Sequence, residues 1–156
     1  MAAVSPRLTA FLEQSRTPFQ KIHHTPDFTS QETAAHTNTR GREFAKTVVL
    51  RVDNQFALAV LPAHHRVDVE ALRRWLNAQD IRLATEEEMR DLFPDCEVGA
   101  EPPMGALYEM PVYVSPILAG DEEITFNAGS HEDAIRMKYD DFARLNRPSI
   151  IHLSSS

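Results

Sequence analysis

At 156 residues, with 42% hydrophobic and 25% charged residues, the chain has the composition of a folded globular protein, and its length fits a single domain, 1–156. It has no apolar run near the ~20 residues of a membrane span. Its one cysteine, Cys96, excludes an internal disulfide and a cysteine-based zinc site. The net charge of −7 is unevenly spread: residues 1–74 carry ten Lys/Arg against seven Asp/Glu, and residues 75–156 carry six against sixteen. That balance excludes a protein that coats duplex nucleic acid nonspecifically, but it leaves room for a grip on a few nucleotides at an RNA end.

The start, MAAVSPRLTAFLEQ, lacks the basic region and long apolar stretch of a secretory signal, so a cytoplasmic location is expected. Ser5-Pro6 pairs an N-cap with proline at the first helical position, and Leu8, Phe11 and Leu12 supply an apolar stripe. Thr17-Pro18 ends that helix, and Phe19 to His24 reads as a short strand. Thr29-Ser30-Gln31-Glu32 has capping-box spacing and predicts a helix ending near Arg40-Gly41. Phe44–Val52 and Gln55–Leu61 form a strand pair turning at Asp53-Asn54. The second strand, apolar on both faces, is expected to be central.

Asp68 caps a helix whose Leu72, Trp75 and Leu76 are expected to face inward, and Ile81–Ala84 follows as a strand. Thr85 and Glu88 repeat the capping-box spacing for a helix that Pro94 ends. After the loop Val98–Gly105, strands are expected at Leu107–Val114, Ile124–Ala128 and Ala134–Lys138, then a helix from Asp140 to Asn146 and a frayed tail at Ser154–Ser156. Strands and helices mixed with hairpins indicate an α/β or α+β fold.

Three places stand out chemically. Period-2 alternation puts Lys46 on one strand face with Phe44, Val48, Leu50 and Val52. A lysine there either snorkels from the strand end or lines a pocket, as a cation for a phosphate or a developing oxyanion. In Gly99-Ala100-Glu101-Pro102-Pro103-Met104-Gly105, two prolines stiffen a segment with glycine at each end. It either turns a corner or points the amides of Gly99, Ala100 and Glu101 outward at a carbonyl. Asn127-Ala128-Gly129-Ser130-His131 follows a strand, where both site loops and plain turns occur.

The seven histidines show no H-E-x-x-H or His/Cys zinc spacing, so neither a metal nor another cofactor is expected. Nothing local marks Cys96 as a nucleophile, and Ser130-His131 lacks the G-x-S-x-G elbow.

Taken in order, Lys46 in FAKTVVL, the loop GAEPPMG and the segment FNAGSHEDAIRMKYDDFARL resemble the YbaK/prolyl-tRNA-synthetase-associated editing domain, over about His23 to Pro148. The resemblance implies a mixed, partly barrel-like β-sheet surrounded by helices, and hydrolysis of the ester joining a mischarged amino acid to the terminal adenosine of tRNA. Lys46 matches the family's pocket lysine, which engages the substrate's phosphate or terminal adenosine. Thr47 follows it, where some alanine-editing relatives carry asparagine. Gly99, Ala100, Glu101, Pro102 and Pro103 match the G-x-x-x-P loop that holds the aminoacyl carbonyl region, and Asn127, Gly129 and His131 fall in the opposite wall. The implied partner is the 3′ acceptor end of aminoacyl-tRNA, with transient association with a synthetase. Arg40 and Arg42, in the basic half, are the expected further RNA contacts. The implied substrates are small non-cognate amino acids of the alanine, serine and cysteine class. A module of the same fold that binds tRNA or an aminoacyl group without catalysis is the competing reading, against which the presence of Lys46 argues.

Overall fold

The computed structural model describes residues 5–24 and 44–156. The helix expected from Thr29 to Arg40, and Arg42 with it, lies outside the described residues. Helix α1 spans Pro6–Gln14; the Ser5 hydroxyl accepts the Leu8 N–H at 3.3 Å, and Leu8 and Leu12 are fully buried. Strand β1 spans Gln20–His23. The long hairpin of β2 (Phe44–Val52) and β3 (Gln55–Pro62) keeps register from Ala45↔Pro62 to Val52↔Gln55. Asp53 turns it with φ of 52°, and its carboxylate accepts the N–H groups of Gln79 and Asp80 at 3.0 and 2.9 Å.

The short β4 (Arg66–Val67) leads into α2 (Val69–Leu76), capped by Asp68, and then β5 (Ile81–Leu83). The capping box of α3 (Glu86–Leu92) forms as the sequence spacing predicts, with Thr85 and Glu88 bonding reciprocally at 3.1 and 2.9 Å. There follow α4 (Gly105–Tyr108), β6 (Val112–Val114), α5 (Pro116–Ala119), β7 (Glu123–Ser130), β8 (Asp133–Lys138), α6 (Tyr139–Asn146), β9 (Ser149–Ile150) and β10 (Ser154–Ser155).

The main sheet is mixed, in the order β1-β8-β7-β2-β3-β6-β9, with β5 also on β2. Strand β2 runs parallel to β7, and β6 lies parallel to β3 and β9, while the other pairs are antiparallel. Both faces of β2 are covered. Ala45 and Val49 join the larger core with Phe93, Met104, Phe126 and Phe142. Leu50, with Val48 and Val52 partly buried beside it, joins Ala59, Leu61, Leu72, Ile151 and Leu153 on the other face. Among the described residues no helix is long and apolar enough to cross a membrane.

Three sequence expectations are corrected. The strand expected over Leu107–Val114 begins as helix α4, and only Val112–Val114 is extended. Tyr108 packs on Phe93 with ring centroids 4.3 Å apart, and the Met110 N–H closes back on the Gly105 carbonyl at 2.9 Å, so packing overrides the local β pattern. Trp75 is 61% exposed. Leu72 and Leu76, four residues apart, define the buried line of α2, and Trp75 falls about 60° to the far side of Leu72. The tail is not frayed at Ser154 and Ser155, which pair antiparallel with Val67 and Arg66. Its anchor is Leu153, fully buried, whose carbonyl accepts the Asp68 N–H at 2.7 Å.

Candidate active site

Strands β2 and β7 pair only at Phe44↔Thr125 and Ala45↔Phe126. Beyond that point the next strand on β2 is β5, which starts at Leu50↔Leu83. The two parallel strands therefore fork. Such a crevice, where neighbouring strands part at their carboxyl ends, is a common ligand position in sheets with parallel pairs. Continuing the register carries Lys46 level with Asn127 on one sheet face. Thr47 lies on the opposite face with Ala45 and Val49. Two buried polar atoms next to the fork have no hydrogen-bond partner among the described residues, the Asn127 carboxamide oxygen on the Lys46 face and the Thr47 hydroxyl on the other. Buried polar atoms are satisfied in the great majority of cases, so the Asn127 oxygen left open level with Lys46, where the two strands diverge, marks a place for a ligand or water.

Lys46 is half-buried, and its ammonium is held below the ordinary lysine value, first by burial and then by the nearby Arg66 guanidinium. Arg66, not singled out in the sequence, stands near Lys46 together with His65, which the sequence raised only as one of seven histidines. They close the turn from β3 into β4, and only the hairpin register shows that this turn comes back to Lys46.

The second wall depends on a bulge. The β7–β8 register shifts between Asn127 and Ser130, which frees the backbone groups of Ala128 and Gly129 for other partners. The Ser5 N–H takes the Ala128 carbonyl at 3.0 Å, the Gly129 N–H donates to Ala100 at 2.9 Å, and the Glu97 N–H donates to Gly129 at 2.8 Å. Gly129 sits at φ 98°, and Gly99 at φ 91°, conformations that favour glycine. His131 completes the unit: its N–H donates to the Glu97 carboxylate at 2.7 Å and its Nε2–H to the Val98 carbonyl at 3.0 Å. Gly99, Ala100, Glu101, Gly129 and His131 thus form one hydrogen-bonded assembly beside the fork.

The loop's amides differ from expectation. They do not simply face outward: the Glu101 carboxylate turns back to accept the Gly99 N–H at 3.0 Å, and the Ala100 N–H donates to Glu97 at 3.0 Å. Pro102 and Pro103 are buried and have no N–H to offer. A carboxylate 4% exposed is costly, and burial raises the Glu101 acid above its ordinary value, with the Glu101 and Gly99 N–H groups and His131 opposing. Because the folded-state value is raised, the group contributes to stability while protonated and loses that contribution as pH rises through the raised value. Glu101→Gln, which keeps an acceptor for Gly99, is therefore expected to melt higher than the parent at pH 8, with the gap closing towards pH 4. Parallel melting curves across that range check it; a gap that widens on acidification would contradict the burial argument.

Cys96 lies beneath the same loop. Burial pushes its thiol up to about 12, so it stays protonated and unsuited to nucleophilic attack.

A family model described as the aminoacyl-tRNA editing domain matches residues 24–145. The chain belongs to that family. Its members hydrolyse mischarged aminoacyl-tRNA, and this chain is an aminoacyl-tRNA hydrolase of the editing class. It is 27% identical over 151 residues to the Multifunctional Ser/Thr-tRNA deacylase ProXp-y of Escherichia coli, covering 94% of this chain and 90% of the relative. It is 30% identical over 108 residues to a proline--tRNA ligase of Bacillus cytotoxicus, covering 69% of this chain but only 18% of that enzyme. The fold matches a crystal structure described as that of a candidate trans-editing enzyme for prolyl-tRNA synthetase, with TM-score 0.85 and 20% identity over 100% of this chain and 99% of the other. The expected mixed sheet surrounded by helices is the fold observed.

Proposed function

We propose that the chain acts in trans, as one domain over residues 1–156 in the cytoplasm, on tRNA carrying a small non-cognate amino acid. The observation that carries this reading is the fork between β2 and β7, with a half-buried cation at its edge and the orphaned Asn127 oxygen level with it. The reaction is hydrolysis: water adds to the ester carbonyl carbon, the bond to the terminal ribose oxygen breaks, and free amino acid leaves tRNA with its hydroxyl restored. An aminoacyl ester is already activated, so positioning and charge stabilisation supply most of what is needed. Lys46 stabilises negative charge on the substrate, and the loop 99–103 with Gly129 and His131 forms the wall that fixes the acyl end. No cofactor enters this scheme.

The orphaned Asn127 oxygen, on the face of Lys46, favours a substrate that brings its own hydrogen-bond donor. A site built around such a group rejects the analogue lacking it far more strongly than an apolar pocket rejects one methylene, which is worth only about 1–3 kcal/mol. The relative named for Ser/Thr-tRNA deacylation supports placing serine first within the alanine, serine and cysteine class. Free action is compatible with transient association with a synthetase, since related domains occur within proline--tRNA ligases. A panel of alanyl-, seryl-, cysteinyl- and threonyl-tRNAs tests the proposal. Seryl-tRNA is expected to be cleaved at least about 10-fold faster than alanyl-tRNA. Equal rates on all four would remove the role given to Asn127, and no cleavage of any would leave a binding module.

A further inference from the structure

The turn joining β3 to β4 returns to the start of β2. The Ala63 N–H donates to the Phe44 carbonyl at 2.8 Å, and the His65 N–H to Pro62 at 2.9 Å. Because Lys46 pairs with Leu61 and Ala45 with Pro62, this turn lies at the end of the hairpin where Lys46 stands. It carries His64, His65 and Arg66 in succession. His64 and Arg66 are exposed, while His65 is 7% exposed, and the two imidazoles meet edge-on at 4.6 Å. The strand β10 fixes this geometry: Ser155 pairs with Arg66, and the Ser154 hydroxyl bonds His65 Nδ1 at 2.8 Å.

Among the described residues, Lys46 and Arg66 meet in this corner as like charges. The charged neighbour that acts on Lys46 is Arg66, and those that act on His65 are His64 and Lys46. In a chain of net charge −7, with acidic residues in excess, neither Lys46 nor Arg66 forms an ion pair among the described residues. Like charges held together in this way destabilise the empty protein and are relieved by an anion. A guanidinium beside an ammonium suits a phosphate, the first by its fork of donors and the second as a point charge.

We propose that the β3–β4 turn is the phosphate-binding half of the site: Arg66, beside Lys46, takes a phosphodiester near the 3′ end of the acceptor strand, and β10 holds the turn through Ser154 and Ser155. This rests on the reading of the site as one for aminoacyl-tRNA. It gives the C-terminal serines a positioning role and sets the RNA on the hairpin side of the fork, leaving the loop side to the amino acid.

The probe is an uncharged acceptor-stem minihelix with its single-stranded 3′ end, and versions in which each of the last three phosphodiesters in turn is a neutral methylphosphonate. For Arg66→Gln, Kd on the natural RNA is expected to rise about 10-fold, and the slope of log affinity against log salt to shallow by about 0.7–0.9, the loss of one phosphate contact. On one of the neutral-linkage RNAs the same substitution is expected to cost nothing. Ser154→Ala is expected to weaken binding by about 2–3-fold, as a looser clamp would. Unchanged affinity and slope in Arg66→Gln, or an equal loss on every RNA, overturns the proposal. Deacylation measured alongside keeps the two readings separate. Arg66-dependent binding without hydrolysis by the parent protein supports the phosphate site and removes the hydrolase reading. Hydrolysis by Arg66→Gln with an unchanged KM overturns the phosphate site and leaves the hydrolase reading intact.

Discussion

Lys46→Ala is expected to slow deacylation by about 10²–10³-fold, equivalent to about 3–4 kcal/mol of transition-state stabilisation. The ammonium is half-buried at the edge of the fork, where its interaction with developing negative charge is screened less than it would be in water. Stability should move the other way. Lys46 is held below the ordinary lysine value by burial and by Arg66, so folding brings a cation into a place that disfavours it. Lys46→Met keeps an unbranched stem on the strand face shared with Val48 and, by register, Leu61, and removes the charge. Its melting temperature is expected to equal or exceed that of the parent, the usual trade of stability for function at a site. For a cation whose folded value is lowered, the destabilisation is complete while the group is charged in both states and fades as pH climbs through the lowered value. The gain in Lys46→Met should therefore be largest near neutrality and shrink in alkali. Parent-like hydrolysis by folded Lys46→Ala would take the lysine out of the chemistry. A sharp loss of stability in Lys46→Met would show it to be a structural residue that merely borders the fork.

What the sequence made legible was mostly local. Ser5, Asp68 and Thr85 cap their helices because a cap needs only a side-chain oxygen and an N–H two or three residues on. The β2–β3 hairpin was legible for a similar reason, its alternation and turn lying within twenty residues. The site was legible as separate pieces, but not as an arrangement. Nothing local shows that the Glu101 carboxylate folds back on the Gly99 amide, because that bond depends on burial by surrounding elements. Nor does spacing reveal that Asn127 comes level with Lys46 at a fork, which exists because β7 and β5 divide the edge of β2. The histidines at 64 and 65 raise the question of a metal when read as letters. In the fold they belong to a basic corner built by strand register and by a serine tail of low β propensity that pairs only because Leu153 is buried behind it.

The two glycines that bound the loop are expected to fail in opposite ways. Gly105 starts α4 against β6, and a Cβ there would lie 2.2 Å from the Met110 carbonyl oxygen and 2.4 Å from Val112 Cγ2. The first obstacle is backbone, held by the bond from the Met110 N–H to Gly105 itself, so a rotamer change cannot relieve it. Overpacking of this kind costs about 3 kcal/mol or more. In a protein of this size that is about a 10 °C fall in melting temperature for Gly105→Ala, with the folded fraction still hydrolysing its ester at a near-parental rate. Gly99 is different. It is exposed, sits at φ 91°, and a Cβ would meet His131 Cε1 at 3.4 Å, an ordinary contact with a side chain. Gly99→Val adds a branched side chain in an unfavourable backbone region, beside the imidazole that bonds Val98. Its melting temperature should fall less than that of Gly105→Ala, while single-turnover deacylation per folded molecule falls about 10-fold or more, because the loop and His131 shift together where the acyl group must approach. Melting and single-turnover rates on the same samples decide the matter. If Gly99→Val loses activity only in proportion to unfolded protein, the loop is scaffolding, and the acyl end of the substrate lies elsewhere along the fork.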